Sequence, residues 1–485
     1  MNIYKFIIGS ILLLFTTTDV IAQETQAKEF SVNEAITYAL ENSFEVHLAK
    51  LDFLMNETDI QISEAIFDTF LYGEYSYSED NLQTASDVTG AEGLQTNYNA
   101  QINKKLVTGT DVSLGYSHNR NWTDSAFVSV NPANEDTLYV DAKQPMMQNV
   151  LGYLDRRKLT ITKLAVDNAG LDEKDKIEDL IAEVEKAYWQ AAARQETVRI
   201  LDDMLKKAEE LHAVNEKNYD VGRIEKVDFI ASKANVLGRR NDLEKEKVTL
   251  KNSLATLKRL MNFDDSMDIM VRDKLIHKTP HVTFEECLKV AIDNRRDYKK
   301  AKTDVKIKEV TLQMKSNERW PEVDLIGSLK MNGINSNLSS MTKMVEDNSN
   351  TYYYVGVEVN VPIENNDALG NYKKAQYGKE HALVWIKDVE RKIITEVGNA
   401  YRDYMLYNIL VEQLIEVSTL QKQKLEEQTK QFDYGRSSTK DVIDYQREYL
   451  LAQIEVVLGM YNYEQSRVEL EKQLNILLDR YEVFL

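Results

Sequence analysis

The sequence has little of several residue types and patterns on which common protein classes depend. Its one cysteine, Cys287, excludes a disulfide framework within a single chain. Its net charge of −19 provides no basic face for nucleic-acid phosphates, so nucleic acid is not an expected partner. No stretch after residue 22 is apolar enough for a membrane-spanning helix. Any place in a membrane must therefore come from β-strands, whose sequence signal is weaker.

Motifs that carry catalysis are also missing. The sequence has no phosphate-binding glycine loop, no His-Glu-x-x-His and no nucleophile elbow. The six histidines lack metal-ligand spacing, and the nearest pair, His277 and His281, falls in an expected linker. We therefore expect no enzyme activity, no cofactor and no metal site.

The amino terminus has the order of a secretory signal peptide. Lys5 precedes an apolar run from Phe6 to Phe15, and small residues lead up to Ala22. The run is too short to span a bilayer, and no cysteine follows for a lipid anchor. We expect residues 1–22 to be removed and the mature chain to be exported.

Two long stretches predict very long helices. Only five prolines occur, with none from Met146 to Thr279 and none after Ile363. Apolar residues recur there at steps of three and four, as in coiled-coil packing. On both sides of Gly435 this pattern predicts a helical hairpin with its tip at residues 435–438, because glycine accepts the left-handed conformation that ends a helix. Its first helix, from about Leu369 to Asp433, would be roughly 95 Å long.

The chain contains two copies of one unit. Ser31–Asn42 aligns with Thr283–Asn294, and each segment has a Glu three residues after its first residue, which predicts a capping box that opens a helix. Three further matches follow in the same order: Ile181–Tyr188 with Ile394–Tyr401, Tyr219–Arg223 with Phe432–Arg436, and Asp228 with Asp441. We assign residues 23–264 to the first repeat, 265–282 to a linker and 283–485 to the second repeat.

Between the helices the apolar period changes to two, which indicates strands. Alternation around Val323–Met331 and Tyr353–Val361 predicts one hairpin in the second repeat, and alternation around Leu71–Ser78 and Leu138–Ala142 predicts strands in the first. One apolar face and one polar face fit a barrel wall between lipid and water, and fit a half-buried soluble sheet equally well. The open edges of so few strands would have to be paired by other copies.

The first repeat has additional residues that read as an extra hairpin. Tyr98, Ala100 and Ile102 alternate with polar residues, and Gly109 then turns the chain into a second alternating run around Leu114. This pair, at about residues 94–118, would either widen a barrel or fold over its mouth or rim. The sequence leaves both possibilities open.

The duplicated pattern resembles the TolC-type outer-membrane efflux proteins over essentially the whole mature chain. The matching features are the paired opening helices, the strand exits at Pro145 and Pro362, the paired Gly-Arg tips and the Asp441–Asp444 segment. The resemblance implies mainly helical protomers with β-strands, in which long helical hairpins form a periplasmic α-barrel. Three protomers, usually with four strands each, complete an outer-membrane β-barrel.

The resemblance also implies a periplasmic gate at the hairpin tips. Asp441 and Asp444 lie three residues apart on one helix face, and the family's two-Asp ring lies where the tunnel is narrowest. Asp228 is the first-repeat counterpart of Asp441, whereas Ala231 replaces Asp444. Phe432 occupies the aromatic position of the family's latch, but Ser437 stands where its arginine would be. The tip turns, implied to contact an adaptor, are Gly222, Arg223, Gly435 and Arg436.

We therefore predict a passive exit duct across the periplasm and outer membrane. It would work as a homotrimer in outer-membrane lipid, with a periplasmic adaptor and an inner-membrane pump, in efflux or type I secretion. The alternative is a periplasmic coiled-coil adaptor or structural protein whose strands form a small soluble sheet. The sequence does not distinguish drug, metal-ion and protein cargo.

Overall fold

The structure is a computed structural model that describes residues 27–82, 88, 90–279, 282–335 and 350–481. The predicted signal peptide, His281 and most of the polar loop after residue 335 lie outside these residues. The described chain is built mainly of helices, together with one six-stranded and one two-stranded sheet.

The elements follow one another twice in the order helices, strands, long helical hairpin. The first repeat comprises β1 (Lys28–Phe30), α1 (Val32–Asn42), α2 (Phe44–Glu64), β2 (Thr69–Asp80), β3 (Gly93–Lys105), β4 (Asp111–Thr123), β5 (Ala133–Pro145), α3 (Tyr153–Asp220) and α4 (Lys226–Met261). After β6 (Ile269–Val271), the second comprises α5 (Phe284–Asn294), α6 (Arg296–Asn317), β7 (Glu322–Asn335), β8 (Thr351–Asn360), α7 (Asn366–Asp433), α8 (Thr439–Leu474) and the short α9 (Leu477–Arg480).

The predicted capping boxes are confirmed at the start of both opening helices. The Ser31 N–H donates to Glu34 Oε2 at 2.8 Å, and the Glu34 N–H donates to Ser31 Oγ at 3.3 Å. Thr283 and Glu286 make the same reciprocal pair ahead of α5. These hydrogen bonds satisfy backbone donors that a helix leaves free, and they lower the pKa of both glutamates.

The long hairpins have the same dimensions in both repeats. Helices α3 and α7 each have 68 residues, and α4 and α8 each have 36. A helix of 68 residues is about 100 Å long. The helix predicted to run from about Leu369 to Asp433 begins at Asn366 and ends at Asp433. Its length and its lack of internal proline make it a strut that reaches far beyond any ordinary domain.

A buried core fixes the first repeat around the middle of α3. Tyr188 is fully buried there, where its hydroxyl donates to Phe30 O at 2.8 Å and accepts from the Asp273 N–H at 3.0 Å. The parallel pair β1–β6 thereby attaches to α3. Cys287 is buried on α5 in a separate apolar cluster with α7 and α8.

A buried ion pair joins the two repeats. Arg296, at the first position of α6, pairs with Glu178 of α3, whose side chain is 1% exposed. The other Glu178 contacts come from the chain's carboxyl-terminal part, where Asn475 Nδ2 and the Leu477 N–H each donate at 3.0 Å. Glu178 therefore connects α3 to both α6 and α9.

The large sheet is wholly antiparallel and has the order β2-β3-β4-β5-β7-β8. The predicted extra hairpin is β3–β4, and it lies between β2 and β5 in the same sheet. Strands β2 and β8 each pair on one side only, which leaves two open edges among the described residues. The helical hairpins and this sheet confirm the predicted fold class.

Candidate functional site

The two hairpin tips have the same backbone geometry. Gly222 and Gly435 both have φ of +72°, which is strained for residues with a side chain. The Gly435 N–H donates to Phe432 O at 2.9 Å, and the Arg436 N–H donates to Gln431 O at 2.8 Å. Gly222 and Arg223 make the equivalent bonds in the first repeat. This is the Schellman arrangement, and it leaves the adjacent Arg223 and Arg436 side chains exposed at the tips.

Asp441 caps the helix that follows the second tip. Ser438 Oγ donates to Asp441 Oδ2 at 2.7 Å, and the Asp441 N–H donates to Ser438 Oγ at 3.2 Å. Hydrogen bonds from the Ser438 hydroxyl and N–H lower the pKa of the Asp441 carboxyl. Asp441 is exposed, and with its pKa lowered it remains ionised at neutral pH.

Asp444 lies one turn further along α8 and is paired differently. Its carboxylate forms an ion pair with Arg447 at 3.3 Å, and its side chain is 39% exposed. Burial lowers the pKa of Arg239 on α4, the Asp242 carboxylate raises it, and the charge of the nearby Arg447 lowers it further. The structure thus brings Asp444 next to a cationic contact between the two hairpins.

The first tip lacks this carboxylate arrangement. Asp228 is half-buried in the first turn of α4, and the N-cap residue there is Glu225, whose side chain makes no capping bond. Stacked rings hold this tip instead, with Tyr219 and Phe229 centroids 5.1 Å apart. The two tips therefore have the same backbone conformation and differ in their charged side chains.

The latch position of the second tip is occupied by local contacts. Phe432 is half-buried at the end of α7. Ser437 accepts a hydrogen bond from Gln428 of the same hairpin. In place of an arginine latch, a side-chain hydrogen bond joins the two hairpins near the tips, where Asn215 Nδ2 of α3 donates to Thr439 Oγ1 at 3.2 Å.

Sequence reasoning missed the Asn215–Thr439 contact. Both residues are buried, at 0% and 2% exposure. The available signal was an amide in the apolar stripe of α3, four residues after Leu211, because a polar residue at such a position often fixes how helices pair.

The large sheet has two chemically distinct faces in the middle of its strands, whereas His118, Arg120 and Asp136 share the apolar face nearer one end. One row of paired residues is apolar throughout: Leu71, Ile102, Leu114, Val140, Leu329 and Tyr353. A neighbouring row on the other face is polar throughout: Glu74, Asn99, Ser117, Thr137 and Asn332. Several apolar side chains of the edge strands are strongly exposed, including Leu71 and Val355 at 79%. An apolar surface of this extent indicates an interaction with lipid or with another chain.

The polar face also carries ion pairs between strands. Lys143 of β5 contacts Asp324 of β7 at 2.7 Å and Glu358 of β8 at 3.5 Å. These pairs connect the strands of the first repeat to those of the second. In the part of the chain that the structure describes, no cluster of histidine, cysteine and carboxylate side chains is arranged to hold a metal ion. No helix within the same residues is long and apolar enough to cross a membrane.

The fold and the strand faces define the class of protein to which the chain is similar. The structure resembles the CmeC outer membrane channel of Campylobacter jejuni, with a TM-score of 0.67 and 13% identity over 96% of this chain and 93% of that one. It resembles the VceC outer membrane protein of Vibrio cholerae with a TM-score of 0.68 and 13% identity, over 92% and 96%. It also resembles the open state of the MtrE outer membrane channel of Neisseria gonorrhoeae, with a TM-score of 0.67 and 15% identity over 95% of this chain and 94% of that one.

Sequence comparison leads to the same class. Residues 110–262 match the outer membrane efflux protein family. A search of curated proteins finds no match. The family match covers part of the chain and the shared fold covers almost all of it, so the chain is similar to outer membrane efflux proteins in both respects.

Proposed function

We propose that three copies of this chain form an exit duct across the periplasm and the outer membrane. The observation that carries the proposal is the large sheet, with one apolar face, one polar face and two open edges at β2 and β8. Three such sheets joined edge to edge would close into a barrel whose apolar face meets lipid and whose polar face lines a water-filled lumen. The long hairpins would continue that lumen into the periplasm.

The duct is passive and depends on partners for energy. An inner-membrane pump would drive transport and an adaptor would contact the hairpin tips, where Arg223 and Arg436 are exposed. Such an assembly serves efflux or type I secretion, and the duct performs no chemical step on its cargo.

The gate is assigned to the second hairpin tip. Three protomers would place six carboxylates, from Asp441 and Asp444, around one axis, where they would repel one another and attract cations. Asp228 and Phe432 would line the same constriction from the first tip and from the end of α7. The exposed position of Asp441 and the Asp444–Arg447 pair support this assignment.

Membrane fractionation tests the proposal. A duct stays in the detergent-extracted outer-membrane fraction and migrates as a heat-modifiable trimer. A periplasmic adaptor or structural protein would instead be released by salt without detergent, and that result would overturn the proposal.

A further inference from the structure

The inserted strands β3 and β4 change both the width and the chemistry of the sheet. On the basis of the proposed duct, we propose that this pair widens the outer-membrane pore and adds an uncharged, hydrogen-bonding sector to its lining. Such a lining suits bulky, neutral, hydroxyl-rich cargo with the chemistry of an oligosaccharide.

The first step is that β3 and β4 belong to the sheet itself. Strand β3 pairs with β2 from Thr69↔Lys104 to Asp80↔Gly93, and β4 pairs with β5 from Asp111↔Lys143 to Asn121↔Ala133. The alternation of faces continues through the middle of the pair, because Ala100 and Ile102 lie on the apolar face and Asn99 and Gln101 on the polar face. Lys104, His118 and Arg120 share the apolar face towards the ends of the pair. A hairpin folded over the mouth of the barrel would not need this strand pairing or this alternation of faces.

The inserted pair also increases the number of strands in the barrel, and with it the barrel's diameter. Six strands in each of three copies give eighteen strands, against twelve for the four-strand protomers that the resemblance implies. Because barrel diameter grows roughly linearly with strand number, the pore would be about half as wide again.

The third step is the lining. On its polar face β3 presents Gln95, Asn97, Asn99, Gln101 and Asn103, and β4 adds two serines and two asparagines. Ionisable residues occur on this face of the pair only at its last rung, Lys105↔Asp111. The neighbouring strand β5 differs, because it carries the charged residues Glu135, Asp141 and Lys143 on its polar face.

These amides are suited to bind hydroxyl groups. An amide has two donor and two acceptor sites, and the contacts within the sheet use only part of them. Asn97 donates to Ser76 Oγ at 3.1 Å, and Tyr139, whose ring lies against Gly115, donates to Gln101 Oε1 at 3.1 Å. The remaining hydrogen-bonding capacity faces the lumen beside the Tyr139 ring, and the nearest charges are those of Glu74 on β2 and Asp141 on β5 at the borders of the pair.

Cysteine labelling in intact cells tests the placement. The native thiol, Cys287, is buried, so an introduced cysteine reports alone. A membrane-impermeant maleimide added outside should modify Ser117→Cys on β4 and its paired neighbour Thr137→Cys on β5. It should not modify the matched control Ala100→Cys, which lies on the apolar face of β3. Modification of Thr137→Cys without modification of Ser117→Cys would overturn the inference, while the proposed duct would still stand. Protection at both in a membrane-bound protein would contradict the duct itself.

A size series tests the width. Excision of residues 81–123 joins β2 to the loop before β5 and preserves the up-down order of the strands. Thr137→Cys in the full chain should accept larger polymer-linked maleimides than in the excised chain, and equal size limits would overturn the inference. If the excised chain does not assemble, the strand count of the intact trimer decides, because eighteen supports the inference and twelve overturns it.

A protection experiment tests the lining. Neutral dextrin should slow modification of Ser117→Cys by a small maleimide more than polylysine or polyglutamate of equal length does. Equal slowing by all three polymers, or none by dextrin, would contradict an uncharged binding wall.

Discussion

Ser438 and Asp441 hold each other at the start of α8, with Ser438 Oγ donating to Asp441 Oδ2 at 2.7 Å and the Asp441 N–H donating back at 3.2 Å. The carboxylate proposed to line the gate therefore also fixes the helix that carries it. Three protomers would place three such capped carboxylates around the duct axis. A variant that removes the Asp441 charge therefore also removes a capping partner of α8, and a second variant is needed to separate the two effects.

The first prediction concerns that separation. Replacing Asp441 and Asp444 together by asparagine should raise single-channel conductance and increase the half-blocking Mg²⁺ concentration by about tenfold, because the ring that concentrates cations is lost. Ser438→Ala removes the cap and keeps both charges, so block by Mg²⁺ should persist. Planar-bilayer recording measures both quantities. Unchanged block in the double variant would remove the gate assignment.

The second prediction concerns pH at the same tip. Because the folded pKa of Asp441 is lowered, its ionised form stabilises the tip above the unfolded pKa, and this contribution is lost as the pH falls through the folded value. Amide hydrogens of residues 438–442 should therefore be protected at pH 7 and exchange faster, relative to intrinsic rates, below about pH 4.

Hydrogen exchange read by mass spectrometry checks this pH dependence, with two controls. Ser438→Ala should lose the protection at both pH values. Residues 225–229 of the first tip, where Glu225 makes no capping bond, should respond less to pH. Equal responses of the two tips would count against a role for the Asp441 carboxylate.

The third prediction concerns the ion pair between the repeats. Arg296→Ala should destabilise the protein by about 3–5 kcal/mol, because it leaves the buried Glu178 carboxylate without its cation. Arg240→Ala is the matched control, since it removes an exposed ion pair with Glu209 at 3.0 Å and should change stability little. Unfolding midpoints in detergent compare the two. Equal shifts would show that the buried pair contributes nothing special.

The fourth prediction concerns the attachment of β1 and β6 to α3. Tyr188→Phe keeps the buried ring and removes the hydroxyl, which leaves Phe30 O and the Asp273 N–H without that partner. The cost should be about 1–3 kcal/mol, with faster proteolysis near the amino terminus. Tyr461→Phe is the control, because the Tyr461 hydroxyl makes no hydrogen bond to any described residue. A Tyr188→Phe chain as stable as Tyr461→Phe would refute the attachment.

Local sequence signals predicted the helices and strands well, and contacts between elements less well. The absence of proline and the glycines at 222 and 435 gave the long helices and their ends, because both act on the backbone itself. The capping boxes at Ser31 and Thr283 followed from a Glu three residues later. The cap at Ser438 was missed because the residue three positions later is Asp441, which the family pattern assigned to the gate.

Other features depend on packing that one sequence does not specify. Alternation identified the residues of β3 and β4, but their neighbours in the sheet are set by pairing over long distances along the chain. Asn215 and Thr439 likewise meet only because two hairpins pack side by side. No sequence pattern distinguishes Arg296 from the other cationic residues, because its role depends on burial against Glu178.

Imaging of the protein extracted from outer membranes by electron cryomicroscopy tests the central claim most directly. We predict a threefold particle in which β2 of one copy lies beside β8 of the next and the closed wall contains eighteen strands. A monomer, or an assembly in which the apolar face of the sheet is covered by protein and shielded from detergent, would contradict the account.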